Sequence, residues 1–419
     1  MPETPGTGAV RHHALDGLRA VMMLLGLVLH AAASYGTIPL GEAWPFKDIS
    51  TAAAFDFVLF YIHVFRMPIF YVIAGFFAAL LYLRRGPRGL ANNRIIRILI
   101  PFVLGWIVLA PLTNAGFTFA MAAQATSIAA GWQAAVASVA GLAFLRDTTL
   151  HLWFLYYLLM FYGIALLGGP VLLRLPPGAR ERTTRAFGRA LSSRWRPLFF
   201  AVPTTLSLLG MPGGALQTSA SFIPDAKTFV VYLVFFAFGW LLYERRNQLA
   251  SFQDHAWLQV GLATLLVPVN TTAFARAAQA GPGGNVAAHV TAAATGGLMV
   301  WLLVFGITGL FLRYMDRPSP RVRYLVDASY WLYLCHLPFT IWLPGAMTHL
   351  TWPAPVKFSI VILVMTPVLL ISYDLLVRPT AIGALLNGRR YPRGLPVLDE
   401  HGQPESVASD YAVAQPSLL

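Results

Sequence analysis

Ten apolar runs organise this chain, each long enough, or nearly so, to cross a lipid bilayer. They lie near residues 15–35, 56–83, 94–112, 151–173, 197–212, 227–243, 256–271, 290–314, 325–346 and 355–378. A helix needs about 20 such residues to span the hydrocarbon core. Within lipid, a helix is the single-segment structure that satisfies its own backbone groups. The expected fold class is therefore all-α: a polytopic membrane bundle of about ten transmembrane helices. Composition agrees, with 57% of the 419 residues hydrophobic and only 11% charged, against roughly 25% charged in soluble domains. The runs at 197–212 and 256–271 are short. The run at 56–83 is too long for an upright helix and contains Pro68, so tilt or a kink is expected there.

Charge sets the topology. Placed with these runs, 24 of the 30 Lys and Arg fall on one side, in LRRGPRGLANNRIIR, RLPPGARERTTRAFGRALSSRWR, YERR, RYMDRPSPRVR, NGRRYPR and Arg11, Arg19 and Arg378. The opposite loops hold Lys47, Arg146, Lys227, Arg276 and Lys357, while Arg66 lies within a run. By the positive-inside rule both termini are cytoplasmic. The net charge of +13 is thus mostly topology, and nucleic acid is set aside as a partner. The expected organisation is a cytoplasmic leader over 1–13, a membrane domain over 14–380 and a polar, disordered cytoplasmic tail over 381–419. The outward loop Asn114 to Thr149, rich in Ala and Gly, has room for a surface-lying helix. No repeat of 20 to 50 residues and no soluble domain is read. The single cysteine, Cys335, excludes an internal disulfide and a multi-cysteine metal site.

The first run, LDGLRAVMMLLGLVLH, carries Asp16 and Arg19 near its start and His30 at its end. Eleven residues of helix amount to about 1100°, within about 20° of three turns, so Arg19 and His30 share one stripe about 16 Å apart. Gly26 lies on that stripe. Charges interrupt the run, which argues against a signal peptide. Snorkelling is the bland reading for Arg19, whereas a histidine so deep points to a cavity or a partner.

Other polar groups reach the same outer third of the membrane. His63 and Arg66 are one turn apart in YIHVFRMPIF; His151 and Trp153 open HLWFLYYLL; Ser329, Tyr333 and His336 share a helical face in DASYWLYLCHLP. One membrane histidine is often a satisfied bundle residue, but four with an arginine indicate a polar cavity reachable from outside. Metal is the competing use, and no His pair at i, i+4 and no HExxH supports it; only Asp56 and Asp147 are carboxylates near these groups in sequence. On the cytoplasmic side Arg19, Arg84, Arg85, Arg94 and Arg97 crowd one face. They fit interfacial anchoring, or an anion site for the phosphates of a cytoplasmic cofactor.

With these motifs in order, the chain resembles the acyltransferase-3 family of membrane acyltransferases over nearly all of residues 10–380. Closest in appearance is the branch that succinylates osmoregulated periplasmic glucans. The likeness rests on LDGLRAVMMLLGLVLH, FRMPIFYVIAGFFAAL, NRIIRILIPF, HLWFLYYLL and SYWLYLCHLPF. It implies a multi-pass enzyme of the bacterial inner membrane that takes an acyl group from cytoplasmic acyl-CoA and delivers it to a hydroxyl outside. It implies His30 as catalytic base and Arg19 as a contact that helps position the donor; Asp16, His336 and His151 are the further catalytic candidates, and Arg94, Arg97 and Arg84 the further donor-binding ones. No tightly bound cofactor and no metal are expected; acyl-CoA, succinyl-CoA on this likeness, is a co-substrate.

Arg66, His63, Trp153, Ser329 and Tyr333 are candidates for the acyl or acceptor side. A succinyl donor would bring a carboxylate to the depth of His30, and a guanidinium fork matches it. The competing role for Arg66 is a structural pair with Asp56. Gly26, lacking a side chain, would let the donor's pantetheine arm lie close to the first helix. Two other functions compete: an O-acetyltransferase of lipid-linked or other envelope polysaccharide, and a transporter or flippase. Transporters often carry paired repeats with broken helices, and no such pairing is visible.

Overall fold

The computed structural model describes residues 13–142, 148–174, 176–281 and 283–396. Arg11, Arg146 and Asp147 lie outside them, as does most of the leader and of the polar tail. Thirteen α-helices and no strand are formed by the described residues. In order they are α1 (His13–Ala33), α2 (Ala53–Arg94), α3 (Ile100–Ala125), α4 (Ile128–Ala140), α5 (Trp153–Arg174), α6 (Pro177–Ser192) and α7 (Arg196–Leu209). Then follow α8 (Ala226–Glu244), α9 (Ala256–Ala280), α10 (Val286–Tyr314), α11 (Pro320–Ala346), α12 (Ala354–Ser372) and α13 (Ala381–Asn387).

Each of the ten apolar runs is helical, and the protein is a multi-pass membrane bundle. The helix starts are chemically marked. Asp225 Oδ1 accepts from Thr228 N at 2.8 Å and Asn285 Oδ1 from Ala288 N at 3.0 Å, capping α8 and α10. Pro177, Pro197, Pro320 and Pro355 stand in the first turns of α6, α7, α11 and α12, where a missing N–H costs nothing.

Three boundaries differ from the sequence reading. The segment between the second and third runs is helical rather than a loop. Its one non-helical residue is Gly86 (φ 68, ψ 179), which precedes Pro87 and takes the extended ψ that a following proline imposes. Helix α9 reaches Ala280, well past the expected end, and α7 is as short as expected. The outward Ala/Gly-rich loop is mostly a helical hairpin, α3 running on to Ala125 and α4 folding back beside it. Phe119, Trp132 and Trp342 stack where α4, α3 and α11 meet, with ring centroids 4.9 to 5.2 Å apart.

The connections sort to two ends of the bundle. At one end Gln124 Nε2 donates to Lys47 O (2.7 Å), Thr149 Oγ1 to Ala220 O (2.7 Å), and Lys357 pairs with Asp48 (2.7 Å). At the other, Arg180 pairs with Glu244 (2.9 Å), Arg196 Nη2 donates to Ser251 O (2.8 Å), and Arg97 Nη2 donates to Asn387 O (3.1 Å). The second end is the arginine-rich one, and both ends of the described chain lie there.

Helix α1 packs against α2, α10, α11 and α12. Helices α2 and α8 meet backbone to backbone: a Cβ on Gly75 would stand 2.0 Å from Phe236 O, and one on Gly239 1.9 Å from Val72 O. Small residues permit this approach where lipid offers no hydrophobic drive. The result fixes α2 against α8, while Arg66 of the same helix reaches α1 through its hydrogen bond to Met22 O.

Candidate active site

Three of the four histidines converge. The ring of His336 lies 5.0 Å from that of His30 and 5.1 Å from that of His151. Their partners assign the protons of the neutral rings. A carbonyl only accepts, so His336 Nδ1, 2.7 Å from Tyr333 O, carries a hydrogen. His336 Nε2 is then an acceptor, and His30 Nδ1 donates to it across 3.2 Å. The lone pair of His30 is left on Nε2. By the same reasoning His151 Nε2 donates to Leu334 O at 3.0 Å, and its Nδ1 is buried without a partner among the described residues. Tyr333 grips the cluster from both sides, its hydroxyl donating to His151 O at 2.8 Å. His336 and His151 are 0% and 6% exposed, whereas His30 is only partly buried. The reachable basic nitrogen of the trio is therefore on His30.

The segment between α1 and α2 folds over this cluster from the end away from the arginines. Trp44 lies 5.8 Å from the His30 ring and donates from Nε1 to Ser34 Oγ at 3.0 Å. Lys47 Nζ donates to Ala33 O and Gly36 O, both at 3.0 Å. Asp48 and Lys357 form a wholly buried ion pair that ties the segment to α12.

Arg66 enters from α2. Its Nε donates to Met22 O at 2.8 Å, and a Cβ on Gly26 would stand 2.4 Å from its Nη2. Gly26 therefore makes room for the Arg66 guanidinium, and that space is not available to a pantetheine arm. Since Gly26 precedes His30 by one turn, the guanidinium sits about 6 Å along α1 from the histidine, toward the arginine-rich end. The competing pair with Asp56 does not form. Asp56 instead takes Thr37 N (2.9 Å), Thr37 Oγ1 (2.5 Å) and Ile38 N (3.1 Å) at the far end of α2. Arg66 is 7% exposed and has no carboxylate partner among the described residues. The charged and polar groups around it are His30, His63, His151, His336, Tyr71, Tyr232 and Tyr333.

The remaining outer candidates are spread around this centre. His63 Nε2 bonds to Leu216 O at 3.2 Å, and among the described residues the ring contacts between histidines join only the other three. Trp153 packs on Tyr157 and Tyr232 at 5.5 and 5.6 Å. Ser329 is buried and donates to Val326 O at 2.8 Å, facing Met23 Sδ at 3.4 Å. Among the described residues no three His, Cys, Asp or Glu side chains are placed to hold a metal ion.

At the arginine-rich end, Arg19, Arg94, Arg97 and Arg85 lie within electrostatic reach of one another around Arg97. Arg94 lies over the Tyr162 ring at 4.4 Å, a cation–π contact. Arg19 Nη2 stands 3.9 Å from Asp16 Oδ1. The Nε atoms of Arg19 and Arg94 are buried without a partner among the described residues. Asp16, fourteen residues before His30, is about 21 Å from it along the helix. It therefore belongs with Arg19 and not with the histidines. Arg84 and its neighbour Arg85 are both exposed, and Arg85 lies within electrostatic reach of Arg97. Residues Ile95–Leu99, between Arg94 and α3, form a π-helical turn, a distortion common at functional sites.

Residues 12–374 match the family described as Acyltransferase domain, acyltransferase-3. The chain belongs to this acyltransferase family. Similar curated proteins bear the name Glucans biosynthesis protein C. That of Salmonella gallinarum (strain 287/91 / NCTC 13346) is 25% identical over 393 residues, 91% of this chain and 96% of the relative. That of Salmonella schwarzengrund (strain CVM19633) is 24% identical over 383 residues with the same coverage. No solved structure matches.

Several residues of this membrane acyltransferase's site escaped the sequence reading. Tyr71 and Tyr232, with rings 4.9 Å apart, flank Arg66 from two helices whose pairing no periodicity reveals. A tyrosine inside YVIAGFF was the available signal for Tyr71. Trp44 sits in an irregular segment with no pattern to place it. Asn387, whose carbonyl holds Arg97, lies in the stretch read as tail.

Proposed function

We propose that this membrane acyltransferase moves a succinyl group from cytoplasmic succinyl-CoA to hydroxyls of a periplasmic glucan, with His30 as general base. The observation that carries the reading is Arg66: a guanidinium deep in the bundle, one turn from His30, with no carboxylate of its own. An ion desolvated in that way costs several kcal/mol unless it is paired, and the succinyl carboxylate would pair it. The names of the relatives, each a glucans biosynthesis protein, supply the acceptor class.

In this reading the arginine-rich end is cytoplasmic, the protein sits in the inner membrane with both termini inside, and Arg19, Arg94 and Arg97 take the phosphates of the donor. Its pantetheine arm covers the ~16 Å rise from Arg19 to His30 past the Arg66 guanidinium, not through the Gly26 position that Arg66 fills. A glucan hydroxyl entering from the Trp44 end loses its proton to His30 Nε2 as its oxygen attacks the thioester carbon. His336 orients His30 and accepts its Nδ1 hydrogen bond, as the third group of a base relay does. The tetrahedral oxyanion collapses, the C–S bond breaks, and the departing thiolate takes the proton back from His30.

Mass spectrometry of periplasmic glucans from cells with and without the protein tests this reading. Succinylated glucans are expected only with it. Acetylated glucans, or succinylated ones in its absence, would overturn it.

A further inference from the structure

The chain beyond Asp374 lies outside the residues matched by the family, 12–374, yet it reaches the arginine cluster. Helix α13 ends at Asn387, and the last carbonyls of a helix have no partner within it. The Asn387 carbonyl accepts from Arg97 Nη2 at 3.1 Å. Gly388 follows in the left-handed conformation (φ 78, ψ 0), its N–H closing the cap onto Ala384 O at 2.8 Å. A Cβ on Gly388 would stand 1.6 Å from Arg97 Nη2. Any side chain there therefore moves the guanidinium.

The rest of the segment is strapped down. Tyr391 N donates to Arg378 O at 3.0 Å and Gly394 N to Asp374 Oδ1 at 2.9 Å. Arg378 Nε donates to Pro392 O at 2.6 Å, and the Arg378 guanidinium lies 5.3 Å from the Tyr391 ring. From the other side the Tyr330 hydroxyl donates to Arg97 O at 2.9 Å, fixing the backbone of the π-helical turn.

Arg97 needs such a hold. It faces Arg19, Arg94 and Arg85, and like charges at short range drive a long side chain outward. The tie to Asn387 opposes that repulsion with one nitrogen. Nε and Nη1 of Arg97 then have no protein acceptor among the described residues.

We infer that the Asn387–Gly388 cap is a positioning element of the donor site, aiming Arg97 at a phosphate of the acyl donor. This rests on the reading of Arg97 as a donor contact. It adds that donor affinity depends on the docked C-terminal segment.

The test is the Kd of coenzyme A for the purified full-length protein, with kcat at saturating donor beside it. Gly388→Asn is the main variant, because asparagine tolerates the left-handed backbone and brings the offending Cβ. Gly283→Asn, in the connection between α9 and α10, is its control: its φ of 77 is similar and nothing lies within 4 Å of a Cβ. Gly388→Asn should weaken coenzyme A binding roughly tenfold, the scale of one hydrogen bond to a charged group, with kcat little changed. Gly283→Asn should leave both unchanged. Tyr391→Ala, which loosens the strap without adding an atom at 388, should weaken binding in the same sense. In an Arg97→Gln background Gly388→Asn should add nothing further. Unchanged affinity in Gly388→Asn and Tyr391→Ala, or an effect that adds to that of Arg97→Gln, overturns the inference. Unchanged affinity in Arg97→Gln alone overturns the donor reading on which it rests.

Discussion

His336 Nε2 lies 3.2 Å from His30 Nδ1, so a residue of α11 decides which nitrogen of the α1 histidine is free to act. The ring that decides is itself held by the Tyr333 carbonyl. Replacing His336 with Phe would keep the volume and remove the acceptor. Turnover should fall on the order of 10²-fold, within the range for a lost or misoriented base, with the KM for acyl-CoA unchanged. His336→Gln, whose side-chain oxygen can accept from Nδ1, should recover part of the loss. Steady-state kinetics of the two variants checks this, and equal loss in both would assign His336 another role.

Arg66 is expected to read the acyl group. Arg66→Gln should reduce succinyl transfer by about 10- to 100-fold, the scale of a charged hydrogen bond, while sparing acetyl transfer. Gly26→Ala should do the same through a different residue, since its Cβ would meet Arg66 Nη2 at 2.4 Å. Parallel assays with succinyl-CoA and acetyl-CoA measure the ratio. Equal loss with both donors would mean that Arg66 serves the chemical step or the fold.

The pair Asp48–Lys357 is expected to hold the segment over His30. Both side chains are wholly buried, and removing one partner strands the other charge. Lys357→Met should destabilise the protein by about 3–5 kcal/mol, and Lys357→Met with Asp48→Leu should recover most of it. Thermal unfolding in detergent compares the single and double variants. A double variant no better than the single one would place the segment's stability elsewhere, in the hydrogen bonds of Trp44 and Lys47.

What the sequence made legible was local. Hydropathy located ten helices because lipid enforces backbone satisfaction residue by residue, and helical rise put His30 and His336 at one depth. The share of the site that stayed hidden is non-local. Arg66 fits against Gly26, forty residues away, only because α2 lies tightly along α1, and periodicity within one helix carries no record of its neighbour. Asp56 looked like the partner of Arg66 through spacing alone, but the chain after α1 turns back to take its carboxylate. The Gly388 contact with Arg97 spans nearly 300 residues and rests on a cap that composition read as tail.

The most direct measurement is acyl transfer by the purified protein, without any membrane gradient, comparing wild type with His30→Gln. Wild type is expected to release coenzyme A from succinyl-CoA only when glucan is present and to yield succinylated glucan. His30→Gln should remain folded, bind coenzyme A with unchanged affinity and lose transfer by on the order of 10²–10⁴-fold. Near-wild-type transfer by His30→Gln would contradict the account.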